Sequence, residues 1–362
     1  MDTLTTILDS VWIKDDLNLS HKKFTRSLIK ALILTLSVNL IKLAHMAFSK
    51  AKTLSTVRRI ERLLAISIFK EKAIGKAIVK ALPPQKKYIL TMDRTVWELD
   101  KRVYNILAIG ICYNGISIPI HFTMLEKRGA TNFAEQKKFM EDVFTIIPAD
   151  KIACLVADRE FGYVKFVSWL TSQKVPYCLR IRENSYVTDT STNKSCKVKN
   201  LLHSLAAGQS VVLNHSYRLN NKQKIRIYAV RRAEHDRGED LIILATPEES
   251  NFTDKIYRLR WQIETAFRAM KSAGFNMEET HLPLNGRFEN MLRLIFIAYA
   301  CVFIEGLQRM KDNPIPIMKK NGRRRSSIFS WGLDWVYRTL LSLLIPKEGG
   351  GGNEPSKNCH VL

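Results

Sequence analysis

The chain predicts a mixed α/β fold: a sheet of parallel and antiparallel strands with helices on its faces, interrupted by an all-β insertion and preceded by helices. Three observations carry this reading. Residues 88–93 (YILTMD), 103–112 and 116–125 are strand-like runs separated by turn signals such as Asn114-Gly115, which suits an antiparallel meander. The run 152–158 (IACLVAD) is apolar up to its final charge, as in a strand buried on both faces. Amphipathic helical stretches at 133–147 and 163–172 flank it, and another strand follows at 177–181. Short alternating strands at 209–218 and 224–231, ending in 241–245 (LIILA), then mark residues 183–246 as the insertion, before helices resume at 253–273 and 286–310.

Residues 1–84 read as helical. Apolar residues recur at helical spacing through 24–48, and a second helix at 54–69 takes Ser55 as its N-cap, with Arg58, Arg59 and Arg62 gathered near its start. Two helices joined by a short turn, the second carrying arginines, fit a helix-turn-helix that reads a DNA groove; an ordinary bundle with a solvated basic face fits as well. Pro83 and Pro84 close the segment. The organisation expected is therefore a helical DNA-binding region (1–84), a core in two parts (85–182 and 247–310) around the insertion, a basic and aromatic C-terminal helix (311–345) and a disordered tail (346–362) containing four consecutive glycines. Within 311–345, Lys319, Lys320, Arg323, Arg324 and Arg325 precede Trp331, Trp335 and Tyr337. Such a cluster grips DNA phosphates or a partner subunit, or is simply a solvated charge run.

Lysine and arginine total 57 against 34 acidic residues, a formal charge of +23, which points to a polyanionic partner, nucleic acid first. The six cysteines are scattered with no C-x-x-C pair, so neither a zinc ribbon nor a disulfide framework is indicated, and a reducing cytoplasm is the expected location. The longest apolar runs, 31–41 and 294–304, fall short of the roughly 20 residues that span a bilayer. They read as buried helices, so no membrane partner is expected.

Asp93 and Asp158 each close an apolar strand-like run, a placement that holds a carboxylate rigidly at the lip of a sheet. A third carboxylate comes from the helix at 253–273. At about 100° per residue, Tyr257, Arg260, Glu264 and Lys271 share one narrow arc, beside an apolar stripe of Leu259, Ile263, Ala266, Phe267 and Met270. Without more information that arc is the solvated face of a surface helix.

The same residues carry a resemblance. YRLRWQIETAFRAMK places Tyr257, Arg260, Glu264 and Lys271 in the spacing Y-x2-R-x3-E-x6-K, and the chain resembles the DDE transposases of bacterial insertion-sequence family four, with DRTVW at Asp93, DREFG at Asp158 and LIILAT upstream. The resemblance covers about 88–271. It implies a ribonuclease H-like core, an Asp93, Asp158 and Glu264 triad holding two Mg2+ ions (Mn2+ able to substitute), and cut-and-paste transposition. The DNA partners would be transposon-end double-stranded DNA and target DNA, bound by a homodimer, with cleavage passing through a hairpin. Three carboxylates suit such hard ions, and two ions serve the attacking and leaving oxygens of an in-line displacement.

Tyr257, Arg260 and Lys271 would hold phosphates beside the site, and Arg159 and Glu160 would assist it or pair with each other. Relatives that form hairpins stack a flipped base on an aromatic residue of the insertion. This insertion has no tryptophan, which leaves Tyr217 and Tyr228 as candidates, with Tyr186 and His215 behind them. Two alternatives stand: a catalytically inactive DNA-binding descendant or inhibitor of transposition, and a recombinase using Tyr257 as nucleophile.

Overall fold

β1 (Tyr88–Leu99), β2 (Arg102–Tyr113) and β3 (Ile116–Leu125) form the antiparallel meander in the computed structural model. Asn114 and Gly115 turn between β2 and β3 with φ of 49° and 88°, the left-handed pair that matches the twist of a two-residue hairpin. β4 (Ile152–Ala157) lies parallel to the other edge of β1, and β5 (Tyr177–Arg180) lies parallel to β4. Parallel neighbours need crossover connections, which α6 (Phe133–Phe144) and α7 (Val164–Ser172) supply. α6 starts at a capping box in which Asn132 and Glu135 satisfy each other's backbone N–H. The coordinates describe residues 2–342 except 13–17, 48, 67, 71, 100–101, 214, 234–240, 272–273, 281, 283–284, 319–321 and 323.

The sheet does not stop at β5. The last strand of the 183–246 segment, β11 (Leu241–Thr246), pairs antiparallel with β5, and every residue of it is buried. From there the order runs on through β10 (Gln223–Arg231), β9 (Tyr217–Leu219), β6 (Tyr186–Asp189) and β7 (Ser195–Lys197). The segment is thus an extension of the central sheet, and it includes a 3-10 turn at Val198–Leu202. The single strand expected at 209–218 is two, β8 (Ser210–Val212) and β9. They pair with different stretches of the long β10, 228–230 and 223–225, so the chain between them has to step along their shared partner.

Among the described residues, five helices precede the sheet: α1 (Asp2–Asp9), α2 (Leu19–Thr35), α3 (Leu40–Met46), α4 (Thr53–Ala65) and α5 (Ala73–Ala81). The one helix expected over 24–48 is broken into α2 and α3, whose axes differ by 110°. Leu36 takes the left-handed C-cap conformation with its N–H bonded to Leu32, and the Asn39 side chain caps α3 by accepting from the N–H groups of Ile41 and Lys42. Apolar periodicity misses this break because apolar residues continue on both sides of it. α4 likewise starts from Lys52, so Ser55 lies inside the helix and caps nothing, and Arg62 falls in the last turn. Arg58 and Arg62 are exposed, whereas Arg59 lies 4.1 Å over the Phe24 ring and donates to Ser20, tying α4 to α2.

Two pairs of helices follow among the described residues, α8 (Asp254–Tyr257) with α9 (Trp261–Lys271) beside the sheet, and α10 (Asn285–Asp312) with α11 (Ile328–Ser342) against the N-terminal helices. α10 has the length and composition to cross a membrane, but 89% of its most apolar window is buried inside this protein. A helix apolar on every face is a core helix, and the N-terminal helices share its hydrophobic core. α11 lies so close to α10 that a Cβ on Gly332 would stand 2.0 Å from the Val302 carbonyl oxygen. Gly332→Ala is therefore expected to force the helices apart and to lower stability by about 1–3 kcal/mol, read as a shifted denaturant midpoint. Gly286→Ala, whose Cβ would meet nothing within 4 Å, is the control, and equal midpoints would show that α11 is not seated here.

At the C-terminal end, Arg309 of α10 lies against the rings of Trp331 (4.2 Å) and Trp335 (5.2 Å) and pairs with Asp334 at 3.0 Å. Trp331 and Trp335 thus serve an internal contact first, whereas Tyr337 is exposed. Arg324 and Arg325 are exposed. Lys319, Lys320, Arg323 and the tail at 346–362 lie outside the described residues.

Candidate active site

The parallel ladder between β1 and β4 ends where Met92 lies opposite Ala157. The next residue on each chain is an aspartate, so Asp93 and Asp158 emerge side by side. Asp93 does not end its strand, as the sequence suggested. β1 continues to Leu99, and Asp93 is held in register with Ala108 of β2. Its backbone is thereby fixed on one edge and open on the other, where β4 has stopped.

The third carboxylate arrives on a helix that is not continuous. Thr253 caps α8 by accepting from the Lys255 N–H, a 3-10 turn at Arg258–Arg260 follows, and α9 begins at Trp261. A 3-10 turn winds more tightly than 100° per residue allows for, so the projected polar arc does not survive across it. Tyr257 and Arg260 turn inward, at 4% and 8% exposure. The expected solvated face is the wall of a cluster.

In that cluster the Arg260 Nη1 donates to Asp93 Oδ2 at 3.3 Å and to Glu264 Oε1. The guanidinium also sits 5.0 Å over the Trp261 ring and 5.8 Å from that of Tyr257. The Tyr257 hydroxyl donates to Asp158 Oδ1 at 3.0 Å, and Arg180 approaches the same oxygen at 3.9 Å. Burial pushes the Asp93 carboxyl up to about 6; Arg260 and the Arg94 N–H pull it down, while the charges of Glu264 and Asp158 push it up again. Burial opposes the charge on Arg260, yet Tyr257, Glu264, Asp93 and Asp158 together hold it protonated well above the ordinary guanidinium range. Asp93 and Glu264, far apart in the chain, thus share one buried guanidinium, while Asp158 is held beside them by Tyr257 and Arg180.

Among the described residues, no three acidic, histidine or cysteine side chains stand close enough to share one ion in this conformation. Arg260 bridges Asp93 and Glu264, a guanidinium among hard oxygen donors. That donor set has the chemistry magnesium prefers.

The remaining candidates fall in different places. Lys271 is half-buried in the last turn of α9, on the same helix as Glu264. Arg159 is exposed and lines a groove with Arg180 and Arg182. Glu160 pairs with Arg94 at 2.9 Å, which links it to the strand bearing Asp93. Tyr217 and Tyr228 are 6% and 7% exposed, and the Tyr228 hydroxyl donates to Asp254. With so little of either residue exposed, neither ring is open to a base, which corrects their assignment as stacking residues. Tyr186 is 52% exposed, and so, at 51%, is Trp261, beside the cluster itself. Sequence reasoning missed Trp261 because the search for a ring stopped at the insertion; its place directly after Arg260 in RLRWQIE was the available signal.

The comparisons with known proteins bear on this geometry. Residues 84–301 match the family model of the transposase DDE domain, and no curated protein matches the chain. Among solved structures, the chain is similar to one in a cryo-EM structure of a piggyBac transposase synaptic complex with hairpin DNA, at 10% identity and a TM-score of 0.49, over 96% of this chain and 78% of that one. Since the matched family model spans more than half of the sequence and takes in Asp93, Asp158 and Glu264 together, the chain belongs to the transposase DDE domain family.

Proposed function

We propose that this protein is a cut-and-paste DNA transposase of the insertion-sequence-four type, cleaving transposon ends and joining them to target DNA at Asp93, Asp158 and Glu264. The observation that carries the reading is that Asp93 and Glu264 meet on Arg260 at the end of the β1–β4 ladder, where Asp158 follows the last rung and is bonded to Tyr257. The order β3-β2-β1-β4-β5, three antiparallel strands followed by two parallel ones, supports a ribonuclease H-like core.

Asp93, Asp158 and Glu264 would hold two Mg2+ ions, or Mn2+ in their place, which when bound activate the attacking oxygen and stabilise the leaving one. The protein's own groups do the positioning. The Tyr257 hydroxyl orients the Asp158 carboxylate, and Arg260 and Lys271 offer charge to the phosphate being cut. Arg58, Arg62, Arg324 and Arg325 present positive charge to the flanking backbone. In a hairpin step the exposed Trp261 ring, rather than Tyr217 or Tyr228, is the one beside the carboxylates available to an extruded base. Two transposon ends brought together call for a homodimer.

The recombinase alternative fares worse. Tyr257 is buried, and burial and then Asp158 raise its phenol well above the ordinary range, which makes a poor nucleophile. The intact acidic cluster argues against an inactive descendant.

End-labelled DNA tests the reading. Magnesium-dependent release of a 3′-hydroxyl, abolished by chelation, is the expected result, and Asp93→Ala, Asp158→Ala and Glu264→Ala should each lose it, by about 1,000-fold or more, while still binding DNA. Retained cutting by any of the three would refute the triad, and a covalent protein–DNA adduct that survives chelation would favour the recombinase.

A further inference from the structure

We propose that Arg94 and Glu160 are positioning residues that set the distance between Asp93 and Asp158. This rests on the function proposed above and adds residues to it. The backbone poses the problem. β1 and β4 are paired only as far as Met92 and Ala157; past that point β1 runs on beside β2, while the chain after β4 turns back, with the Phe161 N–H bonded to the Asp158 carbonyl. The two aspartates therefore lie just beyond the last rung of the ladder that aligns their strands.

A side-chain link spans the gap. Arg94, which follows Asp93, donates from Nε to both oxygens of Glu160, two residues after Asp158, at 2.9 and 3.2 Å. Each partner is itself held. Glu160 Oε1 accepts from the Thr131 N–H at 2.8 Å and from the Thr131 hydroxyl at 2.7 Å. Arg94 Nη1 donates to Asn105 Oδ1 at 3.2 Å, and the Asn105 amide donates to the carbonyls of Lys127 and Gly129 at 2.8 and 3.0 Å. Gln136 donates to Thr131 and accepts from the Tyr163 hydroxyl. The side chains of Arg94 and Glu160 are only 19% and 18% exposed, and Asn105 and Gln136 are fully buried.

Neighbouring residues of a strand point to opposite faces, so Asp93 turns to Arg260 while Arg94 turns to Glu160. The link holds the carboxylate spacing from the side that leaves the site itself open. A buried ion pair is a weak source of stability, because desolvation offsets most of its attraction. Its value lies in fixing geometry, which in an active site must be held to within about 0.5 Å.

The test uses the full chain, with thermal midpoint, Mn2+ affinity by electron paramagnetic resonance, turnover, and half-saturating DNA concentration measured together. Glu160→Gln is expected to keep its fold and its half-saturating DNA concentration, while turnover and Mn2+ affinity fall by about 10- to 100-fold, the usual cost of losing a group that orients ligands. Arg94→Lys, which keeps the charge but loses the fork to Asn105, should fall between Glu160→Gln and wild type. Wild-type turnover and Mn2+ affinity in Glu160→Gln would overturn the proposal, as would a loss of turnover that disappears on cooling together with a lowered midpoint. A wild-type protein that cuts no DNA would instead count against the function on which the proposal rests.

Discussion

Asp93→Asn is expected to abolish cleavage and yet to stabilise the protein above pH 6. The carboxyl of Asp93 is raised from 3.8 to about 6, with burial the largest cause and Arg260 only partly opposing it. An acid whose pKa rises on folding binds its proton more tightly in the folded state. The stability it permits is full below pH 4, where both states are protonated, and is lost as pH climbs through about 6. At neutral pH the ionised group then costs on the order of 2–3 kcal/mol, from about 1.4 kcal/mol per pH unit. Asparagine keeps the shape and cannot ionise; the attraction to Arg260 that it forfeits is already inside the net shift. Melting curves at pH 7.5 should place the variant a few degrees above wild type, with the gap closing below about pH 5. At limiting Mg2+, cleavage by the wild type should in turn strengthen as pH climbs towards about 6, because an ion must displace the proton on Asp93. A gap that does not change with pH would mean that Asp93 is not buried among like charges.

Arg260→Ala should act in the opposite direction. Removing the guanidinium leaves Asp93 and Glu264 facing each other without the cation that bridges them, and breaking a buried pair from one side costs about 3–5 kcal/mol. The loss should be smaller at pH 5, where Asp93 takes up a proton. If the carboxylates form a cation site, Mn2+ should raise the midpoint of this variant more than that of the wild type, since saturating an ion site at about 100 times its Kd adds roughly 2.7 kcal/mol. Equal responses to Mn2+ in the two proteins would remove the case for a metal centre here. The two neighbours thus make an asymmetric pair: one substitution stabilises and the other destabilises.

Much of the architecture could be read locally. The 152–157 strand announces itself because all its residues are apolar, and the turn at Asn114-Gly115 because few residue pairs accept two left-handed conformations in succession. The break at Leu36 could not be read this way. The residues either side of it are apolar and recur at helical spacing, and a polar cap at Asn39 has many innocent readings. The burial of Tyr217 and Tyr228 was hidden for a related reason: an aromatic residue on an alternating strand faces either core or solvent according to what packs on the sheet, and that partner comes from elsewhere in the chain.

By itself the sequence determined the strands that carry Asp93 and Asp158, the basic character of the surface, and the spacing that joins Tyr257, Arg260, Glu264 and Lys271. The strands and the motif depend only on residues along one strand or about four turns of one stretch of chain, and the charge on composition alone. The tertiary structure decided that Arg260 lies buried between two carboxylates, that β1 outruns β4, and that Glu160 reaches Arg94. Those outcomes turn on where ladders end and which charges are desolvated together, and both are set by segments that meet only when the chain is folded.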